Sequence, residues 1–438
     1  MKNMTKYLFI LFVAFSSLTI FATTQPLTTA IPSTQMTTAL PEPAPPKLGL
    51  KTSNPIGTST THVIPTLNKP KPTLNAAQSI PLVIPAPPII PAKGYLLIDA
   101  DSGYIIAQNN QGTRLPPASL TKLMTMYVVS AALKEGRIHL TDSVPISEHA
   151  WRTGGSRMFV KVGTQVLAQD LINGIIVASG NDACVAMSEF VAGSESSFVD
   201  LMNQMAQQLG MQNTHYADAT GLPDPNNYTT PYDLSILARS IIHHYPEDYR
   251  WYGQRWMMYN HIKQPNRNLL LFSDPTVDGL KTGHTDEAGY CLVASAKRNN
   301  NMRLIAVVMG STSMKQRAAD AEMLLNYGFR FYETHPLYAA NLPLSKPRVW
   351  FGKDKETSLG LAKNLYVTIP VGQYNQLKAH LSVNSKLEAP LEQGKTYGQI
   401  QVTLNNQTIA TQPLVALAEN PIGGFFSRLG DHFSLLFH

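Results

Sequence analysis

The sequence predicts an α+β protein, in which an antiparallel sheet covered by helices is followed by a small all-β sandwich domain and a C-terminal amphipathic helix. Three observations predict this order. Strand patterns lie at both ends of residues 94–335 with helical patterns between them, short alternating strands fill 336–418, and apolar residues recur at helical spacing in 421–438. The length of 438 residues leaves room for two or three folded domains.

Residues 1–22 have the features of a secretory signal peptide. Lys2 and Lys6 precede an apolar stretch from Tyr7 to Phe21, and the small residue Ala22 follows it. Because Ile20-Phe21-Ala22 is an imperfect A-x-A cleavage site, a retained N-terminal membrane anchor is the alternative. Both interpretations export the rest of the chain.

Residues 23–93 differ sharply in composition from the remainder. They hold 15 of the 31 prolines and contain no Phe, Tyr, Trp or Cys. Such a segment cannot bury enough apolar surface to offset the entropy lost on ordering, and its prolines favour extended conformations. The composition predicts a disordered Pro/Thr-rich spacer over 23–93 that carries no chemistry.

The segment 94–335 begins and ends with predicted strands. Apolar runs on both sides of Asp101-Ser102-Gly103 predict a hairpin, and two more strands flank an asparagine-rich turn near residue 300. Helices are predicted at 119–136, 166–177, 181–192, 197–209, 230–243 and 315–327. Strands at both sequence ends with helices between them predict one shared antiparallel sheet in this domain.

Residues 336–418 predict a separate β-sandwich domain. The apolar residues Ile400, Val402 and Leu404 alternate on one face of a strand, and Asn405-Asn406 forms the turn that follows. No catalytic combination of residues occurs in this segment.

Residues 421–438 predict an amphipathic helix. At about 100° per residue, the apolar side chains, four phenylalanines among them, fall on one side and the polar ones on the other. The segment is too short to span a bilayer, so the pattern favours a membrane-anchor helix lying in the interface. The alternative is a helix that packs on the protein's own core.

The first chemical motif is Ser119-Leu120-Thr121-Lys122. It places a hydroxyl and an amine three residues apart, on one face of a helix. Serine is a poor nucleophile without a base, and lysine can act as that base if its pKa is lowered. A position in the first turns of a helix and an apolar surrounding both lower it. Alone, the motif has little specificity.

Two further segments make the signal specific. Ser179-Gly180-Asn181 offers a second hydroxyl for proton relay and an amide to hold a substrate carbonyl. Lys281-Thr282-Gly283 opens a predicted strand, where a cation and a hydroxyl can bind a carboxylate and the glycine lets a substrate backbone lie alongside. The three motifs in this order are typical of penicillin-binding proteins and class A β-lactamases.

With these motifs, the sequence resembles the low-molecular-mass penicillin-binding proteins that are serine-type D-alanyl-D-alanine carboxypeptidases. The resemblance runs from about Lys93 to the C-terminus, and the spacer lies outside the usual family pattern. It implies a β-lactamase/transpeptidase-like catalytic domain over 94–335. No cofactor and no metal are implied.

The resemblance also implies roles for the polar residues of these motifs. Ser119 would attack the substrate carbonyl, and Lys122 would take the serine proton. Ser179 and Asn181 would relay a proton to the leaving amine and orient the substrate. Lys281, in the third motif, would tune this network electrostatically.

The remaining implied residues bind the substrate. The backbone N–H groups of Ser119 and His284 would form the oxyanion hole. Thr282, beside Gly283 on its strand, would hold the terminal carboxylate together with Arg317. Arg267 matches another family arginine and is assigned only a supporting role.

The implied partners are peptidoglycan stem peptides ending in D-Ala-D-Ala, β-lactam inhibitors, and a membrane surface contacted through 421–438. The implied location is the periplasmic face of the inner membrane. The net charge of +6 is spread without Lys/Arg runs, so nucleic acid is not an expected partner.

Two alternative functions compete with the carboxypeptidase. A β-lactamase would deacylate through a glutamate, and a matching string occurs as Glu322-x-x-Leu325-Asn326, but after Lys281-Thr282-Gly283 instead of before it. A catalytically idle wall-binding protein would have no need of the serine and lysine together.

The two cysteines, Cys184 and Cys291, lie in elements on different sides of the expected site. Export permits a disulfide. Both positions are nevertheless expected to be buried, so we expect two free thiols.

Overall fold

The computed structural model describes residues 60–63, 84–299 and 301–435. The predicted signal peptide lies outside these residues, as do 23–59 and 64–83 of the predicted spacer and 436–438 of the predicted C-terminal helix.

Strands and helices alternate through the first domain, and strands dominate the second. The strands are β1 (Thr60–Val63), β2 (Gly94–Asp99), β3 (Ile105–Asn109), β4 (Ser143–Pro145), β5 (Gln165–Leu167), β6 (Trp256–Tyr259), β7 (Ile262–Pro265), β8 (Val277–Thr285), β9 (Gly289–Arg298), β10 (Met302–Ser311), β11 (Tyr332–Tyr338), β12 (Val349–Trp350), β13 (Leu359–Gly360), β14 (Leu365–Pro370), β15 (Leu377–Val383), β16 (Leu387–Glu388), β17 (Thr396–Leu404) and β18 (Gln407–Ala416). The helices are α1 (Lys122–Lys134), α2 (Glu148–Arg152), α3 (Ala168–Asn173), α4 (Asn181–Ala192), α5 (Glu195–Leu209), α6 (Pro231–His244), α7 (Pro246–Tyr249), α8 (Leu270–Ser273), α9 (Met314–Phe331) and α10 (Phe425–Leu435).

A five-stranded antiparallel sheet in the order β3-β2-β10-β9-β8 lies at the centre of the first domain. Both faces of this sheet are buried. Along β10, Ile305 and Val307 pack with the core that contains α1 and α4, while Leu304 and Ala306 pack with the core that contains α9. Successive side chains of a strand point to opposite faces, so this one strand serves two cores. As predicted, strands from both ends of this segment share one antiparallel sheet.

Helix α1 runs through the larger core. All but its last two residues are buried, including Lys122 at its start. This burial explains why its sequence is apolar on nearly every side. A 3₁₀ turn, Ala118–Thr121, leads into the helix, and Gly136 follows its end in the left-handed conformation at φ 69°.

The predicted helix at 166–177 is only partly correct. Val166 pairs with Val144 in the small sheet β4–β5, and helix α3 starts afterwards. The chain then forms a π-helical turn, Gly174–Ala178, that ends at Ser179. The prediction followed apolar periodicity, which does not distinguish a short buried strand from a helix. Helix α6 begins as predicted, since the Thr230 side chain accepts a hydrogen bond from the Asp233 N–H.

Two parts of the predicted spacer, residues 60–63 and 84–93, are ordered, although the composition predicted disorder. Residues 84–93 belong to the first domain: Ile90 is only 4% exposed, and the Tyr327 hydroxyl donates a hydrogen bond of 2.8 Å to the Pro85 carbonyl. Strand β1 pairs antiparallel with β15 of the second domain. The predicted domain start at residue 94 is therefore about ten residues late, because proline-rich chain can pack as an extended segment.

The second domain is all β, as predicted. Its largest sheet has the order β1-β15-β17-β18-β13, and its own core includes Ile400, Val402 and Leu404, the residues whose alternation predicted the strand. Within the described residues, no helix is both long enough and apolar enough to cross a bilayer.

A buried carboxylate joins the two domains. Asp99 of β2 accepts hydrogen bonds from the Ser102 N–H at 2.7 Å and from the Thr334 hydroxyl of β11 at 2.7 Å. The Thr368 hydroxyl of β14 lies 2.6 Å from that of Ser102 and 2.8 Å from that of Thr334. Moving the domains apart would leave this buried carboxylate without its hydrogen-bond partners. The network therefore favours one defined contact between the domains.

Cys184 and Cys291 are both free and buried, as expected.

Candidate active site

Ser119 lies in the 3₁₀ turn that precedes α1. Its neighbours Ala118 and Leu120 are 2% and 0% exposed, whereas Ser119 itself is partly exposed. Ala118 adopts φ 47°, a left-handed conformation that is unusual for a residue with a side chain. The turn thus buries its apolar residues and leaves the serine hydroxyl accessible from outside.

Lys122 is fully buried directly beneath that serine. Its Nζ lies 3.0 Å from Ser119 Oγ, and it donates hydrogen bonds to Asn181 Oδ1 at 2.7 Å and to the Thr220 carbonyl at 2.5 Å. The Asn181 amide is held in this orientation because its Nδ2 donates to the Gly154 carbonyl at 2.7 Å.

These contacts constrain the amine of Lys122. The Thr220 carbonyl and the Asn181 amide oxygen can only accept, so they take two N–H groups, and the remaining direction at Nζ faces Ser119. Burial lowers the pKa of Lys122 from its ordinary value of 10.5, and the nearby charge of Arg267 lowers it further. A neutral amine would present its lone pair to the serine hydroxyl.

Ser179 and Lys281 form the second side of the site. Ser179 ends the π-helical turn in the left-handed conformation at φ 58°, and its hydroxyl accepts a hydrogen bond of 2.9 Å from Lys281 Nζ. The pKa of Lys281 is well below 10.5, first because the amine is buried and then because Lys122 lies nearby. The second and third motifs therefore meet at one hydrogen bond.

Strand β8 places Lys281, Thr282 and Gly283 against the turn that carries Ser119. A Cβ at Gly283 would lie 3.0 Å from the Pro117 carbonyl oxygen and 3.2 Å from Ala118 Cβ. The serine turn would have to shift to admit a side chain there, so glycine suits this close approach. β8 is also the edge strand of its sheet, and His284, the next residue along it, is exposed.

Arg317 lies beneath the same strand. The residue is only 3% exposed, and its guanidinium donates a hydrogen bond of 2.9 Å to the Gly283 carbonyl. Burial lowers its pKa to about 10. Arg267, the other family arginine, is exposed and donates to the Ser156 hydroxyl. The structure thus gathers all the predicted site residues around the Ser119 turn and β8.

Sequence reasoning missed two carboxylates that hold the loops of the site. Asp182 accepts hydrogen bonds from four backbone N–H groups, those of Met158, Phe159, Val160 and Ala183, at 2.8–3.2 Å. Asp182 was visible only as an acid in the first turn of α4. Three of its four partners, Met158, Phe159 and Val160, lie more than 20 residues away in sequence, which local patterns do not reveal.

Asp218 acts similarly on the loop that carries Thr220. Its Oδ1 accepts from the Thr220 N–H at 2.6 Å and from the Gly221 N–H at 2.7 Å. A Cβ at Gly221 would lie 1.8 Å from the Ala118 carbonyl oxygen, so the loop presses against the serine turn. Asp218 thereby keeps the Thr220 carbonyl in position to receive the Lys122 amine.

An accessible serine hydroxyl in contact with a buried lysine amine is the arrangement expected of a serine hydrolase that works through acyl transfer. Residues 82–313 match the family described as D-alanyl-D-alanine carboxypeptidase, and residues 332–421 match the C-terminal domain of penicillin-binding protein 5. The chain belongs to the D-alanyl-D-alanine carboxypeptidase family.

Individual relatives agree with this membership. The chain is 45% identical to D-alanyl-D-alanine carboxypeptidase DacA of Escherichia coli strain K12, over 82% of this chain and 91% of that protein. Penicillin-binding protein 5 of Haemophilus influenzae has a similar structure, with a TM-score of 0.74, 43% identity, and coverage of 77% of this chain and 99% of that chain.

A more distant structure is that of penicillin-binding protein D2 from Listeria monocytogenes in its ampicillin-bound form. It has a TM-score of 0.52 and 27% identity, and the match covers 56% of this chain and 100% of that chain. The predicted family, fold class and enzyme class are confirmed, and the β-lactamase and wall-binding alternatives are not favoured. Glu322, which suggested a β-lactamase, is exposed on α9.

We predict that Asp182→Asn destabilises the loop beside the site. An asparagine amide would place N–H groups against backbone N–H donors that the carboxylate now satisfies, at a cost of about 3 kcal/mol in the free energy of unfolding. Urea denaturation, monitored by fluorescence, measures the change in the free energy of unfolding. Asp200→Asn, an exposed acid on α5, is the control, and an equal loss in the two variants would contradict the role of Asp182.

Proposed function

We propose that this protein is a serine-type D-Ala-D-Ala carboxypeptidase that removes the terminal D-alanine from peptidoglycan pentapeptides through an acyl-enzyme on Ser119. The observation that carries the proposal is the 3.0 Å approach of the buried Lys122 amine to the accessible Ser119 hydroxyl, with the other hydrogen bonds of that amine already taken.

The first step forms the acyl-enzyme. Ser119 Oγ attacks the carbonyl carbon between the two terminal D-alanines, and the serine proton passes to the neutral amine of Lys122. When the tetrahedral intermediate collapses, the C–N bond breaks and the leaving amine takes a proton. Free D-alanine departs, and the rest of the peptide stays bound to Ser119 as an ester.

Ser179 is in position to deliver that proton. Its hydroxyl is held by Lys281 at 2.9 Å, and Asn181, two residues further on, contacts Lys122. Lys281 contributes positive charge or a hydrogen bond to this relay, depending on its protonation. Asn181 both fixes the amine of Lys122 and orients the substrate.

The oxyanion of the intermediate binds to the backbone N–H groups of Ser119 and His284. Each such donor is worth about 3 kcal/mol of transition-state stabilisation. The close packing of Gly283 on the serine turn brings these two backbones together. Water then attacks the ester with Lys122 as base, releasing the shortened peptide and regenerating Ser119.

The substrate carboxylate binds at the Thr282 side of β8. An extended peptide can add to this edge strand by main-chain pairing. Arg317, buried beneath Gly283, supplies the positive charge that favours a carboxylate there, and its hydrogen bond to the Gly283 carbonyl stiffens the strand.

The same site is acylated by penicillins. A β-lactam presents a strained amide and a carboxylate to the nucleophile and to Thr282 in the same arrangement as D-Ala-D-Ala. The ampicillin-bound relative supports this assignment.

We also place the enzyme at the periplasmic face of the inner membrane, anchored peripherally by its C-terminal helix. Helix α10 exposes Phe425, Phe426, Leu429 and Phe433, with 43–85% of each residue accessible. A short helix with one apolar face suits the bilayer interface.

Ser119→Ala tests the nucleophile. We expect this variant to bind no labelled penicillin covalently and to release no D-alanine from a pentapeptide, whereas Ser196→Ala, an exposed serine on α5, retains both. The measurements are gel fluorescence and D-alanine assay. Covalent labelling of Ser119→Ala, or no D-alanine from the wild type, would contradict the proposal, and penicillin turnover within seconds would indicate a β-lactamase.

The pH dependence of acylation tests Lys122. Because the base is the neutral amine, the rate should rise with pH through the pKa of Lys122, and burial moves that rise below the ordinary value of 10.5. Stopped-flow fluorescence with a fluorescent penicillin measures the acylation rate at each pH. Lys122→Arg should lose about 10²–10⁴-fold in rate because arginine stays charged. A similar loss in Lys161→Arg, at an exposed site, would count against this role.

Removal of the tail tests membrane association. A chain that ends at Asn420 should appear in the soluble fraction after cell lysis, because it lacks the apolar face of α10. The penicillin labelling of this chain should be unchanged. If the shortened chain still sediments with membranes, α10 is not the anchor.

A further inference from the structure

Most amphipathic helices pack on their own protein through the apolar face, whereas helix α10 packs through its polar face. Its buried residue is Asp431, whose side chain is 3% exposed, while its aromatic residues face outward. At about 100° per residue, Phe425, Phe426, Leu429 and Phe433 all lie within roughly 60° of the direction opposite Asp431. Its polar face is thus docked and its apolar face is free of contacts that would bury it.

Four groups hold the polar face in place, and we call them the Asp431 cluster. Asp431 accepts hydrogen bonds from Lys355 Nζ at 2.8 Å, from Arg348 Nη2 at 3.2 Å and from the Phe351 N–H at 2.7 Å. Paired with two cations and a backbone donor, the buried carboxylate has the partners that its burial requires.

Further contacts extend the docking along the helix. Lys355 Nζ also donates to Ser427 Oγ at 2.8 Å, one turn before Asp431. The His432 ring packs on the Phe351 ring at 4.7 Å. Two consecutive turns of α10 are therefore attached to the loop that follows β12.

The segment leading into α10 is also tied down. The Gly423 N–H donates to the Phe351 carbonyl at 2.8 Å, and a Cβ at Gly423 would lie 2.5 Å from the Gly352 carbonyl oxygen. Asn420 pairs with Leu391 through two backbone hydrogen bonds of 2.9 Å. The connection to the second domain is a paired strand-like segment and cannot act as a loose tether.

We propose that α10 is a rigid platform, locked by the Asp431 cluster, that seats its apolar face on an anionic phospholipid surface and so sets the orientation of the whole enzyme on the membrane. This inference rests on the proposed membrane association and adds what determines its geometry. The network around Asp99 carries the orientation from the second domain to the first.

A lipid surface fits this face better than a second copy of the chain does. The exposed parts of the four apolar side chains amount to roughly 500 Å², so two copies would bury about 1,000 Å², below the range of about 1,200–2,000 Å² for stable interfaces. The exposed cations Arg428 and Lys353 lie on and beside α10. Together they favour an anionic surface over a neutral one.

The test compares Asp431→Asn with the wild-type full chain in two measurements. Without lipid, hydrogen exchange of the α10 amides should be at least tenfold faster in the variant. With vesicles of phosphatidylethanolamine and phosphatidylglycerol, energy transfer from a fluorophore at an engineered Lys161→Cys to a headgroup acceptor should give one distance for the wild type and a broad distribution for the variant.

Three controls make the comparison specific. Asp354→Asn removes an exposed acid close to α10 and should change neither measurement. Lys355→Met removes one of the two cations paired with Asp431 and should reproduce the effect, which guards against a folding defect peculiar to Asp431→Asn. Penicillin labelling of Ser119 should be unchanged in all variants, since the Asp431 cluster contacts no residue of the site.

The outcomes separate the two proposals. Unchanged exchange and an unchanged distance in both Asp431→Asn and Lys355→Met would overturn the locked platform while leaving the anchor intact. Absence of wild-type binding to any vesicle would overturn the anchor, and the platform with it. Equal binding to vesicles without phosphatidylglycerol would overturn the anionic preference, and concentration-dependent dimers without vesicle binding would favour a second copy as the partner.

Discussion

The burial of one amine, that of Lys122, is the constraint on which the site depends. A lysine at the start of a core helix is tolerated only if its N–H groups are satisfied and its charge can be given up. The Asn181 amide and the Thr220 carbonyl satisfy it, and the Ser119 hydroxyl completes its surroundings. The same desolvation that costs stability lowers the pKa of the amine, so the destabilisation and the lowered pKa have one cause.

Satisfying that amine requires three loops to converge, and backbone contacts achieve it. Asp182 gathers four N–H groups of its loop and helix, and Asp218 holds the turn that presents the Thr220 carbonyl. Gly221 and Gly283 then let two backbones press against the turn that carries Ser119. A side chain at Gly221 would collide with that turn and one at Gly283 would crowd it, so the geometry around Ser119 is held mainly by the main chain and by two carboxylates.

Buried carboxylates also hold larger elements together, at the boundary between the domains and at α10. Asp99 binds hydroxyl groups across the boundary between the domains, and Asp431 binds two cations across the contact with α10. In both places an acid that would be costly to bury alone is stabilised by partners from another element. If these elements separated, each carboxylate would lose its partners. The contacts therefore favour one defined arrangement of the two domains and α10.

The amino-acid sequence alone determined the class of fold and indicated the candidate reactive groups. Alternation and helical periodicity located the shared sheet and α4, and the motif order identified Ser119, Lys122 and Lys281, because these depend on local spacing. Only the tertiary structure decided what surrounds them. Asp182 and Asp218 act on partners far along the chain or on backbone groups, residues 84–93 pack on a domain whose core they cannot form alone, and α10 turns its apolar face outward because Lys355 and Arg348 are brought to Asp431. Such contacts arise from long-range packing, which periodicity and motif spacing do not encode.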